Sequence, residues 1–318
     1  MCYQIIDITT WQASSEYDGI YPKGAREKKI LISPSHVNIP LKPNWKYLLK
    51  FSVSRHPQQF LSEILAYHIG RLCNITVPPA FIAYDRNSNL YGALIEWFYD
   101  EKSSIYIDGG DLLSAVDKEF DRAKGERHSI ELVFNLFSII HNYKDKYTFK
   151  MFDEILKFIK MLIFDALIGN TDRHQDNWGL IFNKYDGNKK FNISLSPAFD
   201  NGTSLCYEIL EDKLYNKFFD LNNIKRYIEK GTHHIKYNKG ALEKSSHVEL
   251  IKNLKIQNLP DEYRKACLNI VSFDEESLRS LIFLLSKINC EHRFSEKRCD
   301  ILFTITSLRK KYLLDALG

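Results

Sequence analysis

"LIGNTDRHQDNWGLIF", from Leu167 to Phe182, sets two acids, a His, an Arg and two Asn in one short polar loop with apolar residues on both sides. Polar loops are ordinary on protein surfaces, so the flanks decide what this one is for. Upstream, Phe152 to Ile168 is apolar on nearly every side, which predicts a buried helix rather than an amphipathic surface one, ended by Gly169 and Asn170. Downstream, "WGLIF" and "FNISLS" read as two short strands joined by "NKYDGNKK", where Asp186-Gly187 is a strong hairpin-turn signal. The hairpin leads into "PAFDNGTSL", so Asp200 at its far end is expected beside Asp172 at its near end.

Towards the N-terminus, "WKYLLKFS" alternates apolar Trp45, Tyr47, Leu49 and Phe51 with Lys46, Lys50 and Ser52, the period of a half-buried strand. Lys50 then points away from the aromatic face, and its truncation should open no core cavity and leave the fold intact. "PQQFLSEILAYHIGRL" places Leu61, Ile64, Leu65, His68 and Leu72 at helical spacing, a helix starting just after Pro57 with Glu63 off its main apolar stripe. "LYGALIEWF" reads as a further strand ending near Glu96 to Phe98. Residues 17 to about 97 are thus strand-rich with one strong helix, and those after about 125 mostly helical apart from the one hairpin. The asymmetry predicts an α+β protein of two lobes, residues 1–97 small and strand-rich, residues 98–318 larger and helical. In the tail, Ser272 to Glu275 has the pattern of a capping box opening "DEESLRSLIFLLSKI", and "SEKRCDILFTITSLRKKYLL" predicts another helix.

Composition sets the bounds. The 318 residues, 44% hydrophobic and 13% aromatic, are ample for a packed core. Lys plus Arg (44) against Asp plus Glu (40) leaves +4, too small for a dedicated nucleic-acid surface. The six Cys are scattered with no C-x-x-C pair, which indicates neither a disulfide framework nor a zinc site and fits reduced thiols in a cytosolic compartment. The N-terminus has no basic start followed by an apolar run, and "FIKMLIFDALIG" is too short and too charged to span a bilayer. A cytoplasmic protein without signal peptide or membrane span is expected.

One chemistry gathers these pieces. Phosphoryl transfer from ATP needs a cradle for the phosphates, a Lys on them, a carboxylate to receive the acceptor's proton, and carboxylate and amide oxygens on Mg2+. The protein-kinase arrangement spaces its acid and its metal-binding Asn as D-x-x-x-x-N and follows them with a hairpin and a second metal-binding Asp. Asp172 and Asn177 have this spacing, a hairpin follows, and Asp200 opens "DNG" where that arrangement has D-F-G. Lys50 on a strand and Glu63 on the next helix supply the ion pair of the same template.

Taken in order, "PKGAREKKILI", "WKYLLKFS", "IEWF", "GNTDRHQDNWG" and "AFDNG" resemble the HipA-like serine/threonine kinases, over about residues 15 to 317. The resemblance implies a two-lobed protein-kinase-like fold that transfers the γ-phosphate of Mg-ATP to Ser or Thr hydroxyls of a protein substrate, with autophosphorylation. It implies a phosphate loop at Lys23, Gly24, Ala25, Arg26, Glu27 and Lys28, a nucleotide-binding Lys50, and an adenine-contacting hinge at Glu96, Trp97 and Phe98. Asp172 corresponds to the proton acceptor, His174 and Asn177 to residues beside the phosphates, and Phe199-Asp200 to the metal-binding pair, with Asn177 and Asp200 on Mg2+. Regulation by phosphorylation of a hydroxyl residue in the glycine-containing loop would fall near Tyr21. Export and delivery into host cells is a further implication. The chain begins almost at the kinase domain, so the additional N-terminal domain of longer members, and with it a DNA-binding assembly, is expected to be missing. Two positions depart from the family pattern: Arg26 stands where Gln is usual, and Asp176, beside the metal-binding Asn, where Lys is usual.

Other readings stay open. "DRHQDN" also resembles the D-R-H-x-x-N loop of phosphoinositide kinases, and a non-catalytic nucleotide-binding module would show loss of Lys50, Asp172, Asn177 or Asp200, all of which are present. D-x-H-x-D could ligate a hydrolase metal, but His233 and His234 lie in a polar stretch that reads as a solvated loop. His128 and His141 have no partner legible in the sequence, and Arg309 to Lys311 read as favourable charge in a helix's last turn.

Overall fold

The computed structural model describes residues 3–14, 28–184, 190–241 and 243–318. The loop residues Lys23 to Glu27, with Tyr21, and the Asp186-Gly187 turn lie outside them.

Six strands, β1 (Ile5–Asp7), β2 (Gln12–Ala13), β3 (Lys28–Ile32), β4 (Lys46–Phe51), β5 (Ala80–Asp85) and β6 (Leu90–Glu96), form one sheet in the order β1-β5-β6-β4-β3-β2. All its pairings are antiparallel except that of β1 with β5. The first two strands precede the region read as strand-rich; at three and two residues they are too short to show a period. On β4 the alternation holds: Tyr47, Leu49 and Phe51 are buried with Ile6, Ile8, Leu31, Ala83 and Leu94 on one face of the sheet. The other face packs on helix α1 (Gln59–Leu72), whose Phe60, Leu61, Ile64 and Leu65 enter the main core.

The rest of the molecule is helical around a second, four-stranded sheet. β9 (Gly179–Lys184) and β10 (Phe191–Leu195) are the expected hairpin, in register from Leu180↔Leu195 to Lys184↔Phe191. They are flanked by β7 (Ser104–Asp108) and β8 (Tyr147–Thr148), which sequence periodicity did not reveal. Helix α4 (Met151–Ile168) is the buried helix, although only from its second turn: Phe152 is 63% exposed, whereas Phe158 and Met161 to Ile168 are in the core. Helices α2 (Gly109–Val116) and α3 (Ile130–Asn142) lie before it; α5 (Leu214–Lys217), α6 (Leu221–Lys230), α7 (His247–Asn253), α8 (Asp261–Leu268), α9 (Glu275–Leu284) and α10 (Glu296–Leu317) follow. Among the described residues no helix is long and apolar enough to cross a membrane. Cys73, Cys206, Cys267, Cys290 and Cys299 are free and buried.

Three local readings are corrected. Helix α9 is capped by Asp274, which accepts from Ser277 N at 2.7 Å, and not by Ser272, whose hydroxyl donates to Leu268 O at 2.8 Å and so closes the preceding turn. Arg309 is not last-turn surface charge: α10 runs on to Leu317, and the buried guanidinium donates to Ala166 O and His247 Nδ1, each at 3.0 Å. His233 and His234 are not in a solvated loop. His233 is fully buried against His247, with ring centres 4.5 Å apart, and burial pushes its pKa down to about 3, so it is neutral.

Candidate functional site

The end of α4 builds the loop. Gly169 adopts φ +70°, a left-handed helix cap that favours glycine, and the chain turns into Asn170, whose N–H donates to Asp165 O at 2.8 Å. Asn170 Oδ1 then accepts from Asp172 N at 3.1 Å. Arg173 turns inward and is fully buried. Its guanidinium makes a bidentate pair with Asp165 (Nε–Oδ2 3.0 Å, Nη2–Oδ1 2.7 Å) and also reaches Asn177 O, Phe199 O and Asn201 Oδ1. One side chain therefore ties the helix, the loop and the segment after the hairpin together. Asn177 closes the loop, donating from Nδ2 to Asp172 O at 2.7 Å, which turns its amide oxygen the other way.

Lys50 Nζ lies 2.8 Å from Glu63 Oε1 and 2.8 Å from Asp200 Oδ1. Glu63 Oε2 accepts from Asn201 N at 2.9 Å, so the carboxylate on α1 grips both the lysine and the backbone beside Asp200. Off the apolar stripe did not mean exposed: Glu63 is 3% and Lys50 2% exposed. Asp200 has φ +55°, a left-handed conformation that Asp tolerates better than most residues and that aims its carboxylate at Lys50.

Lys50 and Asp200 line one cavity of about 550 Å³, with Glu63 behind the lysine. One end is aromatic, with Trp97, Phe98, Tyr99, Tyr106 and Phe199; the rings of Phe98 and Phe199 stack at 5.2 Å. The other end is charged, with Lys28, Lys50, Asp172, His174, Asn177 and Asp200. Burial raises the Asp172 carboxyl above its ordinary range, His174 pulls it back and Asp200 pushes it up again.

Of the hinge residues, Trp97 and Phe98 line this cavity, whereas Glu96 lines a neighbouring one and its carboxylate is paired with Lys42 at 2.8 Å. Trp97's peptide is engaged on both sides, its N–H by Lys46 O at 3.0 Å and its carbonyl by Trp45 Nε1 at 2.8 Å, so its ring is what faces the cleft. Lys28, on β3, pairs in register with Lys50. Sequence reasoning missed Tyr99, Tyr106, Asp108, Arg122 and Asn201. Of these, Tyr99 directly follows "IEWF", Asn201 lies within "DNG", and Asp108 precedes Gly109-Gly110, a pair that marks close approach of backbone; Tyr106 and Arg122 stood beside no motif. His128, without a legible partner in the sequence, accepts from Trp178 Nε1 at 3.0 Å, and His141 Nδ1 sits 3.3 Å from Phe149 O.

A flat aromatic end and a cationic, oxygen-bearing end in one cleft suit a molecule that is part planar base and part polyphosphate. The donor set at the charged end, one carboxylate and one amide oxygen, suits Mg2+, which takes few protein oxygens and fills its remaining positions with water and phosphate. Among the described residues no group of three or more His, Cys, Asp or Glu is arranged to hold a metal.

Solved structures share this architecture. The proinflammatory kinase CtkA of Helicobacter pylori superposes with a TM-score of 0.73 over 98% of this chain and 96% of its own, at 18% identity. HipA of Shewanella oneidensis MR-1, from a complex with HipB and operator DNA, superposes with a TM-score of 0.56 over 96% of this chain and 68% of its own, at 11% identity. A curated protein of Sinorhizobium fredii (strain NBRC 101917 / NGR234), named putative kinase Y4dM, is 32% identical over 106 residues, which span 30% of this chain and a quarter of that protein. The fold is α+β and kinase-like. Since the model of the HipA-like C-terminal domain matches residues 20–271, which include both the Lys50–Glu63 pair and the Asp172 loop, the chain belongs to that family.

Proposed function

We propose that this protein is a kinase that transfers the γ-phosphate of Mg-ATP to Ser or Thr hydroxyls of a protein substrate. The observation that carries this is Lys50 held between Glu63 and Asp200, each at 2.8 Å, with Asp172 and Asn177 in the same cavity. The adenine ring lies at the aromatic end among Trp97, Phe98 and Phe199. Lys50 orients the phosphates, with His174 and Lys28 near them. Asn177 and Asp200 would hold Mg2+, which would neutralise charge on the phosphates. The acceptor oxygen bonds to the γ-phosphorus as the bond to the bridging oxygen breaks, ADP leaves with that electron pair, and the hydroxyl proton passes to Asp172. In this reading residues 1–97 form the lobe that carries Lys50 and Glu63, and residues 98–318 the lobe that carries the loop.

Incubation with labelled ATP, Mg2+ and, separately, an acidic protein, a basic protein and phosphoinositide vesicles tests this. Label on Ser or Thr of a protein, or of the enzyme itself, is expected, and is lost in Asp172→Asn. Label on lipid alone would replace protein by lipid as the acceptor, and no label anywhere would remove the kinase reading.

A further inference from the structure

The catalytic loop is held from inside by Arg173. A second arginine holds it from outside, and it comes from a segment in which the sequence shows no motif. Arg122 donates from Nη2 to Asp108 Oδ1 at 3.0 Å, from Nε to Asp111 Oδ1 at 2.9 Å, and pairs through Nη1 with Asp176. Asp108 is the N-cap of α2, accepting from Asp111 N, so two of the three carboxylates belong to a fixed helix start and the third belongs to the loop. The contact depends on missing side chains. A Cβ on Gly110 would lie 2.6 Å from both Arg122 Nη1 and Asp176 Oδ1, and one on Gly109 would lie 2.4 Å from the Trp178 ring. Gly109 N also donates to Trp178 O at 2.8 Å. The same segment reaches the residue between: Gln175 Nε2 donates to Arg122 O at 3.0 Å, and Gly125, at φ +65°, leaves room for the Gln175 amide.

Residues 108 to 125 thus grip Gln175, Asp176 and Trp178 on either side of Asn177, while Arg122 itself lines the cleft with Asp172, His174 and Asn177. An anion at position 176, in a cleft that Asp108, Asp172 and Asp200 also line, would repel the phosphates if it stood alone. Clasped by Arg122 it becomes an anchor instead.

We propose that Arg122 is a positioning residue for phosphoryl transfer: by holding Asp176 against the start of α2 it fixes the loop that places Asp172 and Asn177. It touches the reacting atoms only through that loop. The inference rests on the phosphoryl-transfer reading of the site. Misplacing a catalytic group by a fraction of an ångström slows the chemical step far more than it weakens binding of the nucleotide.

The test is steady-state kinetics with the full chain, using whichever acceptor the wild type labels. Arg122→Ala should lower kcat by on the order of ten- to a hundredfold, with KM for ATP changed less than about threefold. Arg122→Lys, which keeps the charge but not the three-way fork, should recover part of the loss. Because the effect runs through Asp176, adding Arg122→Ala to Asp176→Asn should cost less than about threefold more, a strong coupling between the two sites. Unchanged kcat in Arg122→Ala, or losses that multiply independently with Asp176→Asn, would overturn the proposal. So would a fall in activity that only tracks the unfolded fraction in a thermal melt and is not relieved by Arg122→Lys. An inactive wild type would instead remove the kinase reading, and this inference with it.

Discussion

Lys50 shows how far a single residue's role depends on its surroundings. Strand alternation correctly set it off the aromatic face, but at 2% exposure it is buried on the other side, with Glu63 at 3%. Removing the cation leaves Glu63 charged and without its lysine in the interior. We therefore expect Lys50→Ala to abolish transfer and also to lower the free energy of unfolding by about 3–5 kcal/mol, read from urea melts. Glu63→Gln in the same chain should return part of that loss, and an unchanged midpoint in the single variant would show that the pair is solvated in solution. The sequence alone suggested instead that the fold would be indifferent. Asp172 makes a second prediction at this scale. In the proposed mechanism its carboxyl must be ionised to accept a proton, and burial, with Asp200 nearby, raises its pKa. The acid limb of the kcat profile should therefore lie above the ordinary aspartate value of about 3.9. The sign for stability runs the same way: a carboxyl easier to protonate when folded disfavours the fold once ionised, so stability is lost as pH rises from its unfolded to its folded pKa. At neutral pH Asp172→Asn should melt no lower than the wild type while losing transfer. A sharply lower midpoint would assign Asp172 to the framework rather than to the chemistry.

At the scale of elements, the loop between α4 and β9 is a joint whose pin is Arg173. Asp165 and Arg173 are both wholly buried and bound bidentately, and the guanidinium also reaches backbone on two further segments. Arg173→Ala should destabilise by about 3–5 kcal/mol, because it strands a buried carboxylate, and Arg173→Lys should recover little, since an ammonium cannot reproduce the fork. Chemical denaturation measures both, and full recovery in the lysine variant would mean that charge alone suffices. The elements on either side of this joint were legible. The apolar run of α4, the Gly169 stop and the β9–β10 hairpin each follow from period and turn chemistry within a few residues of chain. The caps and short strands were not. Asp274 displaced Ser272 as the cap of α9 because the preceding turn had already engaged the Ser272 hydroxyl, and β8 is two residues long, paired in parallel with a strand more than forty residues away.

For the molecule as a whole, two sheets and the helices around them bring together residues from four separate segments: Lys50, Glu63, the Asp172 loop and Asp200. The sequence by itself determined the α+β class, the helix that carries Glu63, the hairpin that brings Asp200 back to the loop, and the spacing of Asp172 and Asn177. Each of these is written in local periodicity, in glycine conformation or in the distance along a few residues of backbone. Only the tertiary structure decided that Lys50 and Glu63 are buried, that Glu96 turns towards Lys42 while Tyr99 and Tyr106 join the cleft, and that His233 and Arg309 lie inside. Only it brought Arg122 to Asp176, 54 positions along the chain. Burial and pairing of that kind are properties of surfaces meeting across the fold, and a one-dimensional pattern carries no record of which surfaces will meet.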